Sequence, residues 1–192
     1  MRAYDPENLE RFTAAFEESV GPVKEMLDSW REDELEVWVH DTPQLFFGAI
    51  AANLDGRIEM GLATAEAPRY YAIHELVHWF GGTDSPYENL PSYVEEGLAD
   101  WIGLELTDRI EMRDAQHMRM GTIAVQEADI LAEGAEYYGL PDEDAEATGR
   151  LGYEVVKALG LERLRQMAKA NASPIDYLNA AEEVSERLKR TK

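Results

Sequence analysis

The chain has 192 residues, enough for one domain with a real core, and its 45% hydrophobic content argues against a disordered polypeptide. Its 39 acidic and 18 basic side chains give a formal charge of −21, which disfavours nucleic acid and anionic membrane as partners because like charge repels. The absence of cysteine excludes disulfides, thiolate metal sites and cysteine nucleophiles together.

Residues 6 to about 30 place Leu9, Phe12, Phe16, Val20, Val23, Leu27 and Trp30 at spacings of three and four, the period of an amphipathic helix. Gly21-Pro22 is expected to kink or split that helix. LEVWVH (35–40) alternates and is rich in branched and aromatic residues, which favours a strand. Over 44–66, Asp55-Gly56 stands between apolar runs as a turn signal joining two strands. A small sheet, mixed or antiparallel, is therefore expected over about 35–64.

From there the pattern turns helical. One helix starts near Pro68, a residue suited to a first helical turn, and stops at Gly81-Gly82. After the loop TDSPYENLP a second helix runs from about Ser92 to Thr107, and further helices fit 109–138, 143–159, 161–171 and 174–189, with YGLPDED as one break. The acidic PDEDAE lacks the glycine and glutamate a calcium loop needs and reads as a solvated helix start. The expected class is α+β in a single domain, with an N-terminal helical segment (1–34), the sheet (35–64), two central helices (68–107) and a helical C-terminal part (109–192). MRAYDPENLERF has no apolar core of the secretory kind, and no stretch approaches the ~18–20 uncharged apolar residues of a membrane span, so the expected location is the cytoplasm.

The stretch YYAIHELVHWFGGTD (70–84) carries the chemistry. His74 and His78 are four apart, so a helix aims both imidazoles at one point, and Glu75 stands beside the first, where a carboxylate can take a proton from a water. Two imidazoles with a carboxylate nearby is a donor set for zinc, which also accepts cobalt or manganese. Ala72, Ile73, Leu76, Val77, Trp79 and Phe80 surround the polar triplet with apolar side chains, and buried ionisable groups call for a reason. A chance pattern on a core helix is the plain alternative.

Two residues compete as third protein ligand. Continued locally, the motif reads H-E-x-x-H-x-x-G-x-x-D and resembles the aspartate-ligand metzincins, with Asp84 as ligand. Against this, Gly81-Gly82 ends any helix and TDSP is ordinary turn chemistry. Met112, Met118 and Met120, the residues available for a methionine turn, fall in what reads as a continuous helix. The other candidate lies in PSYVEEGLADWIG (91–103), whose Glu-Gly-x-Ala-Asp resembles the second motif of the gluzincin zinc peptidases, the clan of thermolysin and the zinc aminopeptidases. That resemblance implies a zincin-like helical bundle with one Zn2+ per chain held by His74, His78 and Glu96. It also implies Glu75 as general base and Asp100 as the acid that orients a ligand histidine, a role expected on physical grounds too. Gly97 and Ala99 are small, which suits close helix approach. Taken alone, Glu95, Glu96, Asp100 and Glu105 would read as the wet face of a helix; the first motif at near-family spacing favours Glu96.

The resemblance further implies an oxyanion donor from a downstream helix. GRLGYEVVKALGLERLRQM (149–167) is similar to that helix, and its tyrosine is Tyr153; Tyr87 and Tyr93 compete, with packing roles as the plain alternative. His40 and His117 read as packing or surface histidines. By position, RIEMGLAT (57–64) is the expected edge strand for an extended substrate. The exopeptidase motif of the aminopeptidases is not matched, which disfavours an aminopeptidase and leaves an endopeptidase, or another peptide-bond specificity, acting on a peptide or protein. The expected activity is zinc-dependent peptide hydrolysis. A non-catalytic zincin-fold binding protein and an Asp84 metzincin are the alternatives, and the sequence leaves oligomeric state open.

Overall fold

The computed structural model describes residues 6–32, 34–42, 45, 51–54, 56–61, 64, 67–82, 84–107 and 142–190. The helices expected over 109–138, the break at YGLPDED as far as residue 141, His117, and Met112, Met118 and Met120 lie outside these residues, as does Asp55. The fold is α+β, mostly helical with a small mixed sheet. It divides into two compact units, Met1–Thr83 and Asp84–Lys192.

The first unit opens with α1 (Pro6–Leu27), which buries Phe12, Ala15, Phe16, Val23 and Leu27 along one stripe. The expected split at Gly21-Pro22 does not occur, because one helix runs across Pro22. The helix closes where Asp28 turns left-handed (φ 52°) and the Ser29 amide donates back to the Lys24 carbonyl (3.0 Å), satisfying an end carbonyl. Three short strands follow: β1 (Glu36–Val39), β2 (Ala51–Leu54) and β3 (Arg57–Met60). β2 and β3 are antiparallel, and Gly56 beside their connection has φ 86°, a conformation that a Cβ would strain.

The sheet order is β1-β3-β2, with β1 and β3 parallel. This corrects the expectation that 57–64 offers a free edge. Within Arg57–Met60, β3 is the central strand: Met60 is paired with Val39 on one side and Ala51 on the other. Among the described strands β1 and β2 are the outer ones. The sheet's inner face contributes Val39, Ile58 and Met60 to the core. On the other face Glu59 is buried, and Arg57 compensates its charge: Arg57 Nε donates to Oε1 at 2.8 Å, while His40 Nε2 lies 3.0 Å from Oε2. That contact explains His40 as a structural histidine.

α2 (Pro68–Gly81) begins with Pro68, where a missing N–H costs nothing, and ends as the Gly82 amide donates to the His78 carbonyl at 3.0 Å. It packs against α1 and touches β2. Beyond the C-terminal end of α1, the Arg31 guanidinium lies 4.0 Å above the Trp79 ring and donates to the Trp79 carbonyl at 2.7 Å, clamping the end of α2.

The second unit comprises α3 (Ser92–Thr107), α4 (Asp142–Lys169) and α5 (Pro174–Arg190). α4 is interrupted at Gly160 (φ 71°, ψ 163°), where the sequence places a boundary between two helices. At the start of α5 the Ser173 amide and hydroxyl both donate to Asp176 Oδ2 (2.9 and 2.7 Å), with Pro174 in the first turn. These bonds hold the Asp176 carboxyl below its ordinary pKa. α3 packs on α4, and α4 on α5. Among the described residues no helix is long and apolar enough to cross a membrane.

Candidate metal centre

α2 buries almost its whole circumference, with Tyr70, Ala72, Ile73, Leu76, Val77, Trp79 and Phe80 as its apolar surface. Glu75 is buried with them at 5% exposure, whereas His74 and His78 are half-buried on one stripe. One helical turn brings their Nε2 atoms to 3.2 Å, with ring centroids 4.9 Å apart and planes at 66°. Tyr70, a turn earlier, sets its ring 6.3 Å from that of His74.

On α3, Tyr93, Val94, Gly97, Leu98, Ala99 and Ile102 form the buried face, and Glu95, Glu96 and Asp100 are half-buried. Asp100 stands one turn beyond Glu96, the expected spacing for an acid that supports a ligand set. The close approach that small residues allow is made at Gly97 with α4: a Cβ there would lie 2.0 Å from the Gly152 carbonyl carbon.

Among the described residues one group of three or more metal-ligating side chains is found, and it is His74, His78 and Glu96. One ligand atom from each lies within 4.8 Å of the other two. Asp84 is not in the group; it is exposed, has φ 64°, and its amide donates to Glu88 Oε2 at 3.3 Å. A zinc ion with nitrogen ligands at ~2.05 Å in a tetrahedron sets those nitrogens roughly 3.3 Å apart. The observed 3.2 Å fits that edge. Two neutral imidazoles sharing one N–H would close to a similar distance; the Glu96 carboxylate adds the third donor of a group that could hold a metal ion. The donor set fits a divalent ion of zinc type.

Tyr153 lies on α4, immediately after Gly152, and is 2% exposed, with Lys157 Nζ 6.0 Å from its ring centre. Tyr87 is buried and holds Arg165, whose guanidinium carbon is 5.6 Å from the ring centre, with Nη2 3.4 Å from the hydroxyl. Tyr93 is buried and donates to the Pro174 carbonyl at 2.9 Å. The sequence reading did not anticipate the Gly97–Gly152 contact; two glycines on separate helical stretches were its signal. In comparisons with family models, curated proteins and solved structures, nothing matches this chain.

Proposed function

We propose that the chain is a zinc-dependent metallopeptidase of gluzincin type, in which His74, His78 and Glu96 hold the ion. The observation that carries this reading is the convergence of the three ligand atoms within 4.8 Å. Zinc, when bound, would supply Lewis acidity, bringing a water's pKa to about 7 and polarising an amide carbonyl. The two imidazoles must be neutral and Glu96 ionised to bind. Glu75 takes the proton from the attacking water on its carboxylate and returns it to the amide nitrogen as the peptide bond breaks. Asp100 orients a ligand imidazole by accepting its other N–H. Tyr153 donates its hydroxyl to the developing oxyanion.

Burial favours a second reading. Glu75 and Tyr153 are 5% and 2% exposed, so neither side chain faces open solvent, which suits a metal-holding protein that binds a partner without hydrolysis. Glu75→Gln decides between them. The peptidase reading expects peptide-library cleavage to disappear while zinc stays bound. No cleavage by zinc-loaded wild-type would favour the binding protein, and equal cleavage by wild-type and variant would contradict Glu75 as the base.

A further inference from the structure

At the α3–α4 crossing the two backbones touch. A Cβ on Gly152 would lie 1.7 Å from the Tyr93 carbonyl oxygen, and one on Gly97 would lie 2.3 Å from the Tyr153 amide nitrogen. Neither position admits a side chain without driving the helices more than about 1 Å apart, because packed interiors have no slack of that size. Gly21 and Gly81, by contrast, have open space where a Cβ would go. The two touching glycines adjoin functional residues: Glu96 precedes Gly97, and Tyr153 follows Gly152.

We infer that the Gly97–Gly152 crossing positions Glu96, so that α4, which carries none of the three proposed ligands, sets the affinity of the metal site. This rests on the metal-site reading above. A metal site tolerates ligand errors of about 0.2 Å, far less than the displacement a methyl group at the crossing would force on the backbone next to Glu96. A glutamate side chain can absorb part of such a shift only by leaving its preferred rotamers. Gly97 and Gly152 are positioning residues: they act through Glu96 and touch no substrate.

The test is zinc titration of the whole chain in four variants beside wild-type: Gly152→Ala, Glu96→Ala, the double variant, and Gly21→Ala as a helix-glycine control. Gly152→Ala should weaken zinc binding at least tenfold while Gly21→Ala leaves it unchanged. The double variant should bind like Glu96→Ala alone, because the crossing then has no ligand to move. Wild-type affinity in folded Gly152→Ala, or the same fold-loss from Gly152→Ala in both backgrounds, would overturn the inference. Should Gly152→Ala not fold, hydrogen exchange on wild-type serves instead: zinc should slow exchange across residues 152–156, since coupling is reciprocal. Unchanged exchange there would overturn it. Wild-type that binds no zinc would remove the metal-site reading itself; zinc bound with an insensitive crossing would remove only this inference.

Discussion

The Nε2 atoms of His74 and His78 stand 3.2 Å apart across one turn of α2, with their ring planes 66° apart. The helix sets this relationship, because residues four apart lie above one another on one face. The rest of the account depends on what lies between those nitrogens.

If a metal does, the acid one turn past Glu96 should tune it. Asp100→Asn keeps the shape and a hydrogen-bond acceptor but loses the charge that makes a partner imidazole a better ligand. Metal affinity is expected to fall about 10- to 100-fold with the circular dichroism spectrum unchanged. Competition with a chelator of known affinity measures it.

Tyr177 is fully buried, and among the described residues its hydroxyl has no hydrogen-bond partner. Burial raises its pKa to about 12 and, with Tyr177 nearby, pushes Tyr93 higher still. Both folded values lie above the unfolded value near 10, so the native state disfavours the phenolates. Their contribution to stability is complete below about pH 10 and is lost as pH rises through the folded values. Tyr177→Phe removes an unpaired hydroxyl, so at pH 7 the melting temperature should hold or rise. Above pH 10 the variant should lose stability less steeply than wild-type, as denaturant titrations at pH 7, 10 and 11.5 would record.

The start of α5 makes a milder prediction. Ser173→Ala removes the hydroxyl that donates to Asp176 and should lower stability slightly in urea unfolding at neutral pH. Because the folded pKa of Asp176 is lowered, its contribution is present above the unfolded value of 3.8 and disappears as pH falls through the folded one. The gap between wild-type and variant should therefore narrow in acid.

On β3, Arg57 partners the buried Glu59 carboxylate. Arg57→Met leaves that charge with only His40 beside it at 3.0 Å and removes the guanidinium that lies 4.4 Å over the Trp38 ring. A loss of stability on the order of 2 kcal/mol is expected. Arg57→Met together with Glu59→Leu should recover most of it, since no buried charge remains.

Helix boundaries were legible because each carries a local chemical mark. Pro68 opens α2 and Gly81-Gly82 closes it, the breaks at Gly160 and Ser173-Pro174 fall where the residues change, and Ser92–Thr107 coincides with its pattern. The order of the strands was not legible. Alternation tells a strand's faces but not its neighbours, and the parallel pairing of β1 with β3 is a long-range event that placed the supposed edge strand in the middle. Of the kink or split expected at Gly21-Pro22, the split does not occur: packing of Phe16, Val23 and Leu27 along one stripe outweighs the hydrogen bond that proline forfeits. In the site, His74 and His78 are paired by helix geometry alone, so their spacing suffices. Glu96 is distant in sequence, and only its motif singled it out from Glu95. The Gly97–Gly152 contact joins residues far apart in sequence, and no local pattern encodes it.

Metal content tests the central claim most directly. Purified chain, Glu96→Ala and Asp84→Ala would each be equilibrated with zinc, freed of excess, and measured by plasma mass spectrometry. Near one zinc per chain in wild-type and Asp84→Ala, with loss in Glu96→Ala, is the predicted result. Zinc absent from wild-type, or retained by Glu96→Ala and lost from Asp84→Ala, would contradict it.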